Sequence, residues 1–122
     1  MNPDVEQRHQ QLQGMLDVVC SRFRLETEKL GIALNAEERL AEQAEFHLSR
    51  DPASGQDTLV GTWKNATGQK IGEVLFHADG SFFAEYDVIK NHPTDNRWFI
   101  EAVTVWGRGS NIKSELRLLP SM

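Results

Sequence analysis

Between Pro3 and Leu30 the apolar residues recur every three or four positions. At about 100° per residue Val5, Leu12, Met15, Leu16, Val19, Cys20, Phe23 and Leu30 fall in one stripe. This spacing predicts an amphipathic helix over 3–30, stopped by Gly31, which can take the left-handed turn that ends helices. His9 and Glu26 interrupt the alternative reading of the stripe as a coiled-coil seam. A second helix is predicted over 35–50. Asn35 can cap its first turn, Glu38 completes a capping box, and Leu40, Ala41, Ala44 and Leu48 form its stripe. Phe46 lies off that stripe, between Glu42 and Arg50, which makes it a candidate partner contact or a side chain leaning under a loop.

After the linker at 51–57 the period changes to two. Strands are predicted at 58–64, 70–77, 81–90, 97–106 and 111–119. Asp79-Gly80 is the clearest hairpin signal, because a tight reversal needs a positive φ that glycine adopts freely. Gly107 to Ser110 also reads as a β-turn, with no helix start beside it to favour an anion. Short connections between successive strands predict an antiparallel meander. The resulting fold class is α+β: two N-terminal helices packed on a curved, about five-stranded antiparallel meander. Residues 1–122 form one domain in this reading, with a helical segment at 1–50 and the meander at 58–122.

The strands do not alternate as a sheet solvated on one side should. In the fourth predicted strand Trp98, Ile100, Ala102, Thr104 and Trp106 point one way, and Phe99, Glu101, Val103 and Val105 the other. Both sets are largely apolar, as are the two faces of 81–90. Two helices cover one face, so the other is expected to curl around a pocket, to meet a second copy and give a homodimer, or to remain partly exposed as a sticky patch. A pocket on the Trp98 face would be lined by Tyr86, Trp98, Trp106, Ala84 and Ala102, the small alanines leaving room for an apolar or aromatic ligand. Arg97 or Arg108 at the rim would meet an acidic group of such a ligand.

Gly61, Thr62 and Trp63 at the start of the meander, followed by the Asp79-Gly80 hairpin, resemble the G-x-W opening of lipocalin-like barrels, whose Trp closes one barrel end. Roughly 65 residues of strand are too few for the eight strands of a closed barrel. The element order is similar to the cone-shaped fold of ketosteroid isomerase-like proteins, in which helices lie across a curved sheet that encloses a cavity. That resemblance carries over no catalytic residue.

Composition narrows the function classes. With 39% hydrophobic and 25% charged residues, the 122-residue chain has an ordinary globular make-up. Its net charge of -5 has the wrong sign for binding phosphates or anionic lipids, so neither nucleic acid nor membrane is an expected partner. The first residues lack a cationic and apolar leader, and a cytoplasmic address is expected. One cysteine, Cys20, lies on the apolar stripe as a buried thiol, and no disulfide framework is available. His9, His47, His77 and His92 are too scattered for metal-ligand spacing, so no metal and no cofactor are expected. Asn65-Ala66-Thr67 matches a glycosylation sequon, which has no meaning without secretion. Glu85, Asp87 and Glu101 form an alternative polar site, since carboxylates crowded in an apolar pocket can shift apart in pKa and do acid/base work. Lys113 and Arg117 can reach the same face, and cross-strand ion pairs are the plainer account of those carboxylates. The reading is therefore a non-catalytic binding or protein-interaction domain. A small enzyme using the strand carboxylates in a cone-shaped cavity is the alternative.

Overall fold

A computed structural model describes residues 3–32, 44–50, 52–53 and 55–121. Among these the chain forms one helix, α1 (Pro3–Glu28), followed by β1 (Glu45–Arg50), β2 (Asp57–Lys64), β3 (Lys70–Phe76), β4 (Ser81–Asn91), β5 (Trp98–Arg108) and β6 (Asn111–Pro120). The strands pair antiparallel in chain order to make a six-stranded meander. The mixed helix-and-sheet architecture is as expected, but the element count is not.

The discrepancy lies in the second predicted helix. Its cap, Asn35 and Glu38, and the stripe residues Leu40 and Ala41 fall outside the described residues. Its last turns are strand β1 instead. Glu45-Phe46-His47-Leu48-Ser49 alternates polar and apolar, and pairing Phe46 with Gly61 and Leu48 with Leu59 puts both apolar side chains on the core. The helical stripe left Phe46 stranded among charges, whereas a period of two gives it a place. The predicted helical segment 1–50 thus gives up its end to the sheet.

α1 buries Leu16, Val19, Cys20, Phe23 and Thr27 against one sheet face. Thr27, the polar member of that stripe, donates its hydroxyl back to the carbonyls of Phe23 and Arg24 and so enters the core satisfied. The helix ends where Gly31 adopts a φ of 73°. The Gly31 N–H then donates to the Glu28 carbonyl at 2.9 Å and the Ile32 N–H to the Thr27 carbonyl at 3.0 Å, with Ile32 buried behind the turn. The helix also has a polar tie to β6: Ser114 donates to Glu26 at 3.0 Å and accepts from Arg22 at 3.3 Å.

Three rings centre the core. Phe23 of α1, Trp63 of β2 and Tyr86 of β4 lie 5.7–5.8 Å apart, centroid to centroid. Gly72, on β3 between the last two, makes this cluster possible. A Cβ there would come within 2.9 Å of the Tyr86 ring and 3.2 Å of the Trp63 ring. Gly61 gives way in the same manner to the ring of Phe46. Leu59, Val74, Phe76, Phe82, Ala84, Ile100, Val103 and Val105 complete the buried layer.

A pair of register shifts decides which side chains face away from α1. Between Asp87 and Lys90 on β4, and between Ile100 and Ala102 on β5, the ladder slips. Glu101 has no register partner, so Ile100 and Val103 both turn to the core while Ala102 turns outward. Within the β4 irregularity Ile89 is 57% exposed and has a φ of 51°, a left-handed conformation that a β-branched side chain rarely takes. No helix among the described residues is long and apolar enough to cross a membrane.

Candidate functional site

The sheet face opposite α1 has no element over it among the described residues. Its central row runs across four strands, Val60, Leu75, Phe83 and Trp106, each opposite the next in register and each half-buried. His47 on β1 and Lys113 on β6 continue the row at either edge. A second row runs Thr62, Glu73, Glu85, Thr104 and Glu115. This face is therefore an apolar band bordered by charges.

Over the β4–β6 half of the band lies an open groove of about 640 Å³. Phe83 and Trp106 supply its aromatic surface, and His77, Arg108, Lys113 and Arg117 surround them. Both arginines are held by carboxylates. Arg108 meets Asp79 at 2.8 Å, and Arg117 reaches across β5 to Glu85 at 3.3 Å. Asp79 also accepts from the Ser81 hydroxyl at 2.6 Å and the Ser81 N–H at 2.9 Å. Those two bonds, and then the Arg108 charge, bring its pKa down to about 2. The β3–β4 hairpin thus anchors the guanidinium of Arg108 at the groove's end. His77, in the same hairpin, shares a hydrogen bond with Thr58 at 3.2 Å.

The pocket set drawn from sequence is not brought together. Tyr86 and Ala84 are buried in the core beneath α1, while Ala102 and Trp106 are on the opposite face. Trp98 stands at the far end of β5, opposite Pro120 and eight residues from Trp106, or roughly 26 Å along an extended strand. Arg97 there is engaged by Asp95 at 2.8 Å. Phe46 is half-buried against the core over Gly61. Of the five proposed wall residues, Trp106 alone lines the groove. Phe83, its register neighbour, is the wall residue that sequence reasoning missed. Alternation had set Phe83 apart from Tyr86, but only the β4–β5 register identifies which residue lies beside Trp106.

The alternative polar site is partly assembled. Glu85 and Asp87 share the outward face of β4 and border, with Lys70 and Glu73, a hollow of about 140 Å³. Removal from water raises the pKa of Asp87, the nearby charge of Glu101 raises it further, and Lys70 opposes both. Glu85 is neutralised by Arg117, and Lys70 binds Glu73 at 2.9 Å. Cys20 sits in the core, where burial pushes its thiol up to about 12, so it remains protonated. Among the described residues no cluster of three or more His, Cys, Asp or Glu could hold a metal ion.

The chain matches no known protein family, no curated protein and no solved structure.

Proposed function

We propose that this protein is a non-catalytic binding domain that takes a small apolar or aromatic ligand in the groove on the sheet face opposite α1. The observation that carries the reading is the register pairing of Phe83 with Trp106, which floors a groove of about 640 Å³ with two adjacent rings. That volume is within the range of about 300–1,000 Å³ usual for small-molecule sites, where a few polar groups at the edge fix orientation. The carboxylate hollow offers less to an enzyme reading, since it is much smaller and its Glu85 and Glu73 are already ion-paired.

The test is a titration with small aromatic and apolar compounds followed by tryptophan emission. Trp63 is sealed in the core and Trp98 is remote, so Trp106 is the reporter. Trp106→Phe should remove the signal and Trp98→Phe should leave it. Phe83→Ala should weaken binding about tenfold, the usual effect of losing a ring from an apolar contact. Saturable binding that is indifferent to both Phe83 and Trp106 would remove the groove from the account.

A homodimer is the second reading, favoured because the apolar band extends past the groove to Leu75 and Val60. A second copy would cover the whole row, and ligand and copy would then compete for Trp106.

A further inference from the structure

We infer that the ligand of this groove carries a single negative charge, a carboxylate or its equivalent, received by Lys113 while its ring lies on Trp106 and Phe83. The inference rests on the binding reading above and specifies the chemistry of what binds. Lys113 is directly opposite Trp106 in the β5–β6 register, which places their side chains about 5 Å apart at the Cβ atoms on the same sheet face. A flat molecule resting on the indole therefore presents its edge to the ammonium.

The other cations of the groove are committed elsewhere, Arg108 to Asp79 and Arg117 to Glu85. Lys113 makes no ion pair among the described residues. It is exposed and mobile enough in its own four-carbon stem to follow a ligand. With Arg108 and Arg117 neutralised by Asp79 and Glu85, the Lys113 ammonium is the charge that a molecule resting on the two rings meets, and it selects an aromatic or apolar acid over the corresponding amine. Glu115, two residues from Lys113 and on the same face, confines the acidic end to the Lys113 side of the groove by repulsion.

Calorimetric titration of the whole chain with 2-naphthoate and with its neutral isostere 2-naphthamide, at low ionic strength, tests this. The acid is expected to bind about five- to tenfold tighter than the amide, with the difference shrinking at high salt. Lys113→Gln should bring the acid down to the affinity of the amide, abolishing the preference, and Lys113→Glu should invert it. Equal affinity of the two compounds for the unaltered protein would overturn the charge inference and leave the groove reading standing. A Lys113→Gln variant that weakens both compounds equally would likewise overturn it, because the side chain would then act by packing. Binding of neither compound would overturn the groove reading and this one together.

Discussion

Side-chain volume at single positions controls the centre of this core. Gly72 has no room for even one added carbon beside the Tyr86 and Trp63 rings, and the Glu85 carbonyl lies 2.9 Å from where that carbon would sit. Gly72→Ala should therefore cost about 1–3 kcal/mol, the range for overpacking a filled core, and chemical denaturation would measure it. Charge acts at the same scale on the opposite face. Asp87 has its folded pKa raised above 3.8, first by desolvation and then by Glu101. Its contribution to stability is therefore full below the unfolded value and lost as pH rises through the folded one. Asp87→Asn should accordingly raise the melting temperature at neutral pH, and the gain should vanish in melts at about pH 3, where the native carboxyl is protonated as well.

Between elements, polar ties complement the apolar contact. α1 touches β5 and β6 as well as β1 and β2, and at β6 the contact includes the hydroxyl of Ser114 between Arg22 and Glu26. Removing that hydroxyl leaves two charged groups of the helix short of a partner. Ser114→Ala should cost about 1 kcal/mol and lower amide protection at the end of α1 before the rest of the chain, which hydrogen exchange would detect. The end of α1 was legible in the chain because Gly31 carries its own conformational reason. β1 was not, because six residues satisfy a helical stripe and a strand alternation equally well until Leu59 and Gly61 are seen to be their neighbours.

Over the whole molecule, α1 sits on one face of a sheet that has an apolar band on the other. If that band also receives a second copy, self-association should rise with concentration and be broken by Val60→Lys, a residue of the band outside the groove. Sedimentation velocity would record the loss of the larger species. Saturation with a groove ligand should give the same dissociation in the unaltered protein, because both occupants need Trp106. A species whose mass ignores both treatments would confine association to some other surface.

The chain by itself determined the amphipathic α1 and its stop, the five strands of the meander from 58 onward, the hairpins at Asp79-Gly80 and Gly107–Ser110, and the presence of more apolar strand surface than a helical layer covers. These features are local: they follow from spacing of side chains and from the φ that glycine permits. The tertiary structure decided which apolar residues meet. Strict alternation gives Ile100, Ala102 and Trp106 one face, but the slip at Glu101 sends Ile100 inward and leaves Ala102 and Trp106 outside. One unpaired residue reverses the facing of all that precede it, and nothing in the composition of that segment marks where the ladder slips. The pairing of Trp106 with Phe83 on one side and Lys113 on the other is a matter of register between strands. Register is fixed by burial over the whole sheet, so the groove belongs to the fold and to no single stretch of sequence.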